Sequence, residues 1–291
     1  MVYSIRTMSK ILSHLAVIGV GLLGSSICLA AKKRGLADTV IGIDRCRETL
    51  NIAQQQESIN VAATELDVLS DIKDGLAVIC TPVRSIVGVV EQITMVNNKL
   101  LISDVGSTKA NICRELERHH FRFVGAHPIA GGEKSGPQFG NADLFQNCLT
   151  VLTPTASSRS EDTVFLQRFW ETLGARVWHL EPEQHDAMLA KTSHLPHAVA
   201  ASLASLLTES ERPFCGTGFA DTTRIASGPP VVWTDIFLEN RLQLLLALEK
   251  FGDRLEALKT ALQNSDAVAT ARFLESAQQI STPANDVTNS N

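Results

Sequence analysis

The segment His14-Leu-Ala-Val-Ile-Gly19-Val-Gly21-Leu-Leu-Gly24 restricts the fold of this 291-residue chain more than any other. A short apolar run ends on glycines spaced G-x-G-x-x-G, and a helix-like stretch follows to Lys33, with Gly35 as its stop. A second apolar run, Thr39-Val-Ile-Gly-Ile-Asp44, ends on an acid 20 residues beyond Gly24. Strand, glycine turn, helix, strand and acid in that order make the dinucleotide-binding fingerprint of a βαβ unit. The first glycine permits the tight turn, the second lets a pyrophosphate approach the backbone, and the third lets helix and strand pack closely. The turn Gly19, Gly21, Leu22, Leu23 and Gly24 is therefore the candidate phosphate site, because a helix N-terminus offers unpaired N–H groups and the positive end of a dipole. Asp44 is placed to bind the adenine-ribose hydroxyls, which favours NAD over NADP. Arg45 beside it is the feature that would admit a 2′-phosphate.

The glycines also decide how the N-terminal stretch is read. Arg6 and Lys10 precede the apolar residues 15–31, which gives the outline of a secretory signal. Three glycines inside that run weaken a helix, and the run is short for a membrane span, so the dinucleotide turn is the better reading. A net charge of −5 with no basic stripe argues against nucleic acid as a partner. The six cysteines are scattered without a CxxC pair, which fits neither a zinc ribbon nor a redox motif and points to a reducing, cytoplasmic compartment. His194 and His197 stand three apart, but no acid or third histidine completes a metal site by spacing, so no metal is expected.

The alternation continues downstream. Residues 76–82, 99–104 and 121–125 read as strands, with helices at 84–96 and 109–118 between them, which implies a parallel sheet. Ligands of such sheets sit beyond the carboxyl ends of the strands, which singles out Thr81, Pro82, Asp104, Ser107 and His127. Thr81 and Pro82 join the candidate cofactor set. The polar, glycine-rich residues 125–136 read as a functional loop directly after a strand. Strands at 149–153 and 175–179 flank a helix at 161–173. Beyond Glu181 the pattern becomes helical: 183–207 with a kink or break at Pro196, then 231–263 and 267–279. The expectation is an α/β chain: an N-terminal Rossmann-type parallel sheet over 1–180, a C-terminal all-helical substrate and dimerisation domain over 181–280, and a disordered tail over 281–291. Apolar faces such as Leu242-Gln-Leu-Leu-Leu-Ala-Leu248 need cover, and a homodimer would supply it.

Several segments together resemble the prephenate/arogenate dehydrogenase family of tyrosine biosynthesis. They are Asp104-Val-Gly-Ser-Thr-Lys109, Gly125-Ala-His-Pro-Ile-Ala-Gly-Gly-Glu-Lys-Ser-Gly136, Ser193-His-Leu-Pro-His-Ala198, Asp221-Thr-Thr-Arg-Ile-Ala226 and Trp233-Thr-Asp-Ile-Phe-Leu-Glu-Asn240, and the resemblance runs from about residue 15 to 280. It implies an oxidative decarboxylation of prephenate or arogenate, with NAD as hydride acceptor, carbon dioxide leaving and the ring becoming aromatic. It implies His127 as the catalytic histidine that draws off the ring hydroxyl proton, with Ser107 holding the same hydroxyl or the histidine. Arg224 would pair with a substrate carboxylate, His197 would line the pocket with Asp186 supporting it, Glu133 would gate the site or contact the substrate side chain, and Trp233 would wall the pocket, from the same or the partner subunit. No chorismate mutase segment is seen ahead of the dinucleotide half and no room for an ACT domain after residue 280, so feedback through such a domain is not expected.

Two other readings compete. A β-hydroxyacid dehydrogenase or a pyrroline-carboxylate reductase also joins a Rossmann domain to helices, but the former wants a catalytic lysine on a GxxxN-type helix, which Lys191 lacks, and neither accounts for His127-Pro-Ile-Ala-Gly131. A non-catalytic NAD-binding protein would have no use for both His127 and Arg224. Prephenate and arogenate differ only in a keto against an amino side chain, and the residues leave that choice open.

Overall fold

Strands that are apolar at nearly every position need cover on both faces. The computed structural model of the chain describes residues 12–132 and 134–281, and it supplies that cover. Among the described residues eight strands form one sheet: β1 (Leu12–Ile18), β2 (Ala37–Ile43), β3 (Val61–Ala63), β4 (Gly75–Ile79), β5 (Leu101–Asp104), β6 (Phe123–Pro128), β7 (Leu149–Thr153) and β8 (Arg176–His179), in the order β3-β2-β1-β4-β5-β6-β7-β8. The chain turns back on itself between β1 and β4, so a crevice opens at the carboxyl ends of these two strands. The helices are α1 (Leu22–Lys33), α2 (Arg47–Gln55), α3 (Ile86–Val96), α4 (Ala110–Arg118), α5 (Ser160–Thr172), α6 (Pro182–Leu189), α7 (Leu195–Ser205), α8 (Thr217–Thr223), α9 (Pro230–Glu239), α10 (Arg241–Gln263) and α11 (Ala267–Ser281).

Alternate residues of each strand face opposite cores. Leu15, Val17, Leu76 and Val78 pack with Ile27 of α1 and with Phe169 and Trp170 of α5. Ala16, Ile18, Ala77 and Ile79 pack with Ile86 and Val90 of α3 and Ile112 of α4. The sheet is thus the middle of three layers. The apolar stretch 15–31 is divided between β1 and α1, and among the described residues no helix is long and apolar enough to cross a membrane.

Four expectations are corrected. The sheet is not wholly parallel: β6 and β7 run antiparallel, with His127 opposite Val151. That ladder continues past Gly125, so His127 belongs to a strand and not to the loop after it. The helix expected over 183–207, with a kink or break at Pro196, is interrupted instead by a π turn, Ala190–His194, ahead of the proline. A proline inside an α-helix clashes with the carbonyl four residues back; here Pro196 directly follows the π turn, whose wider winding makes room for its ring within a continuous helix. The helix expected over 231–263 breaks at Asn240 into α9 and α10. Both α2 and β3 escape periodicity: α2 buries only Leu50 and Ala53, and β3 is a three-residue edge strand.

The chain forms two compact units, Met1–Arg241 and Leu242–Asn291. In the first, α6 packs on α4 and β7, so the change from sheet to helix near residue 180 is not a gap in packing. In the second, Arg254 of α10 donates to Ser276 Oγ of α11 at 2.9 Å and lies over the Phe273 ring, while Leu245, Leu246, Leu255, Leu262 and Leu274 stay exposed. The tail expected to be disordered lies, from residue 282 on, outside the described residues.

Candidate active site

The glycine turn is shaped as a cradle. Gly19 has φ +92°, and a Cβ there would lie 2.8 Å from the Cys80 carbonyl oxygen. A Cβ on Gly24 would lie 2.1 Å from the Gly19 carbonyl oxygen, so only glycine lets α1 start this close to β1. Gly21 has nothing within 4 Å of its Cβ position, which leaves its backbone open to a ligand. No side chain caps α1, whose 12 residues point their first N–H groups toward that opening. Asp44, just past β2, is held beside the turn: it accepts from Val20 N–H and Cys46 N–H, both at 2.9 Å. Arg45 is exposed. Thr81 and Pro82 follow β4, and the Thr81 backbone nitrogen borders the same turn. The groups expected for a dinucleotide converge, and the residues present fit one.

His127 lies two strands further along the sheet and is 9% exposed. Its Nδ1 is 2.9 Å from Nε2 of His185 on α6. His185 Nδ1 in turn is 2.8 Å from Asp186 Oδ1. The Asp186 carboxylate also accepts Lys109 N–H at 2.8 Å and Ala110 N–H at 2.9 Å, the first donors of α4. Beneath them lies a fully buried ion pair: Lys109 Nζ donates to Asp104, whose carboxylate also accepts Gly106 N–H at 2.8 Å and Ala126 N–H at 3.1 Å. Burial, with the neighbouring His185, Lys109 and His194, drives the His127 pKa well below its ordinary 6.5, so the imidazole is neutral at physiological pH.

A second cluster surrounds α7. His197 stacks on Trp233 with ring centroids 3.5 Å apart, and Phe237 meets both edge-on. Glycine is required at Gly228, where a Cβ would lie 2.5 Å from Trp233 Nε1. His197 Nδ1 is buried with no hydrogen-bond partner, an orphan polar atom of the kind a ligand satisfies. Arg84, from the turn before α3, reaches α9 through Glu239 at 3.2 Å and Asp235 at 3.7 Å. Asn240 joins the clusters: its Nδ2 donates to the Asp186 backbone carbonyl at 2.8 Å and to His194 Nδ1 at 3.0 Å.

The neutral state of His194 has a measurable consequence. Burial lowers its pKa from about 6.5 to about 4, against a smaller raising effect of Asp186. Between those values the unfolded chain binds a proton that the folded chain resists, so stability falls as pH drops from about 6.5 toward about 4. His127 adds in the same direction. Thermal melts between pH 7.5 and 4.5 are expected to show the melting temperature declining below about 6.5, with a shallower decline in His194→Gln. A melting temperature flat across that range would contradict it.

The structure brings some sequence-derived residues together and separates others. His127 pairs with His185 and makes no hydrogen bond to Ser107, which is half-buried in the turn before α4. Asp186, which the resemblance placed in support of His197, has its oxygens on the start of α4 and on His185. Arg224 opens the 3-10 turn Arg224–Ser227, packed against α7, with its side chain exposed. Glu133 lies outside the described residues. His185, Lys109 and Asn240 are the residues that sequence reasoning missed. Lys109 and Asn240 each carried a faint signal, standing within segments that carry the resemblance, 104–109 and 233–240. His185 was marked only by standing next to Asp186.

Comparison with known proteins adds an independent line. Residues 27–179 match the family model described as prephenate dehydrogenase, nucleotide-binding domain, and residues 181–276 match prephenate dehydrogenase, dimerization domain. The chain is 32% identical to a prephenate dehydrogenase of Bacillus subtilis (strain 168), covering 93% of this chain and 76% of that one. It is 30% identical, with TM-score 0.88, to the crystal structure of prephenate dehydrogenase from A. aeolicus in complex with hydroxyphenyl propionate and NAD+, covering 94% and 98% of the two chains. Against a crystal structure of Synechocystis arogenate dehydrogenase the identity is 28% and the TM-score 0.80, covering 91% and 98%.

Proposed function

Because the chain belongs to the prephenate dehydrogenase family, we propose that it oxidatively decarboxylates a cyclohexadienol of the prephenate or arogenate type in tyrosine biosynthesis, with NAD as acceptor. The observation that carries this reading is a buried, neutral histidine on the sheet that also carries the glycine cradle. Bound NAD supplies the hydride acceptor. Gly19, Gly21, Leu22, Leu23 and Gly24 would hold its pyrophosphate, Asp44 with Arg45 its adenine ribose, and Thr81 and Pro82 would border it.

The rest of the chemistry belongs to side chains. His127 takes the proton of the ring hydroxyl as that carbon is oxidised, the work of a general base. Ser107 would hold the same hydroxyl. Arg224 presents a guanidinium fork suited to a substrate carboxylate. The orphan Nδ1 of His197 would meet a polar substrate group, with Trp233 as the wall behind its ring. Glu133 is kept as a contact for the substrate side chain. By role, the chain divides near residue 180 into a dinucleotide half and a substrate and dimerisation half.

A homodimer is supported by the family description of the second half and by the apolar residues exposed on α10 and α11. A cytoplasmic setting is supported by six cysteines that are all free.

The test is spectrophotometric. Purified protein with NAD is given prephenate in one cuvette and arogenate in another, and NADH is followed by its absorbance. Formation with at least one substrate is expected. A folded protein that binds NAD and yields none with either would overturn the reading.

A further inference from the structure

A general base needs its lone pair on the nitrogen that meets the substrate, and an imidazole has two nitrogens. The geometry around His127 determines which one. Asp186 accepts two backbone N–H groups at the start of α4, so its carboxylate acts as acceptor only, the behaviour of the ionised form. His185 Nδ1, 2.8 Å from that carboxylate, must therefore carry a proton. The other nitrogen of a neutral His185 is then a bare acceptor, and it lies 2.9 Å from His127 Nδ1. His127 Nδ1 must be the donor of that bond, which leaves its lone pair on Nε2.

We propose that His185 and Asp186 are positioning residues that fix His127 as the Nδ1–H tautomer and receive the charge it acquires, a two-imidazole relay ending on a carboxylate. The proposal rests on the reading of His127 as the base. In the forward step the substrate O–H bond breaks and an N–H bond forms at His127 Nε2. The His127 Nδ1–H bond then breaks as a new N–H forms at His185 Nε2, while His185 Nδ1–H stays bonded to Asp186. Positive charge thus moves from His127 to His185, directly against the carboxylate. The proton is borrowed: when the substrate carboxylate leaves as carbon dioxide, the electron pair left behind passes through the ring to the oxygen, which takes the proton back.

The surroundings give this relay a purpose. Burial and the nearby His185, Lys109 and His194 make His127 hard to charge, which without a counter-charge would make it a poor base. The groups facing it are His185 and Asp186 from α6, Lys109 and Asp104 from the start of α4 and the end of β5, and His194 from the π turn. Lys109 already answers Asp104, so Asp186 is the anion placed to balance a proton entering through His127. Asn240 secures the assembly: it donates to the Asp186 backbone and to His194 Nδ1, which holds His194 neutral and proton-free on that side.

The test separates tautomer from turnover. Histidine-15N-labelled protein without substrate is examined by NMR, with His127 assigned by its loss in His127→Ala. The expected wild-type signature is protonated Nδ1 and bare Nε2. His185→Leu is expected to lose it, while His185→Gln, which keeps an acceptor near the lost Nε2, retains it. In parallel, kcat is expected to fall about 100-fold or more in His185→Leu with the NAD KM unchanged, and to stay low in His185→Gln, whose amide oxygen can accept the His127 Nδ1–H bond but cannot take its proton; full kcat in His185→Gln would reduce the pair to fixing the tautomer and overturn the relay. Wild-type His127 protonated at Nε2, or His185→Leu within twofold of wild-type kcat, would overturn the relay. The Nδ1–H signature in a chain inactive toward both substrates would overturn the reaction and leave the tautomer assignment standing.

Discussion

His127→Ala is expected to lower kcat by about 10²–10⁴-fold, the span that a positioned general base contributes. The reason is its isolation. His127 is buried in β6, and the base it provides has no substitute at that position, since His185 behind it is turned toward Asp186. Affinity for NAD should be unaffected, because the glycine turn and Asp44 belong to β1, α1 and β2, away from β6. The measurement is steady-state turnover beside a titration of NAD binding. A variant that keeps kcat within tenfold, or loses NAD binding as well, would remove His127 from the role of base.

The second large effect is on stability. Lys109 and Asp104 are both fully buried and paired. Lys109→Met would leave the Asp104 carboxylate charged in the interior with only two backbone donors, Gly106 and Ala126. Breaking one side of such a pair costs about 3–5 kcal/mol. In a chain of this size each kcal/mol shifts the melting temperature by about 2–4 °C. Lys109→Met is therefore expected to melt about 10 °C lower. Adding Asp104→Asn should recover part of the loss, because the penalty comes from the unanswered charge more than from the missing bond. A single variant melting within about 2 °C of wild type would show that water or a rearranged partner answers Asp104.

Much of the fold was legible because local rules and global fold agree. The G-x-G-x-x-G turn, the acid at position 44 and the strand–helix alternation each follow from short-range sterics and periodicity, and the structure places strands and helices accordingly. Legibility failed where a long-range contact overrode the local pattern. Nothing near residue 125 announces that β7 returns antiparallel and draws His127 into the ladder. Pro196 announced a disturbance, but the π turn that accommodates it lies before the proline. Asn240 interrupts an apolar helical pattern without a glycine or proline, and its side chain reaches the Asp186 carbonyl and His194.

The site divides along the same line. Sequence by itself determined the features carried by contiguous segments: the glycine turn, the acid at position 44 that stands beside it, and the segment around His127 that carries the family resemblance. Only the tertiary structure decided what surrounds that histidine. His185 lies 58 positions from His127, and Asp186 lies 77 from Lys109, the residue whose backbone N–H it accepts. Their partnership depends on α6 packing against α4 and β7, a contact between segments distant in sequence. Local sequence can name a residue able to hold a proton; which of its nitrogens holds it is set by neighbours that only packing brings within 3 Å.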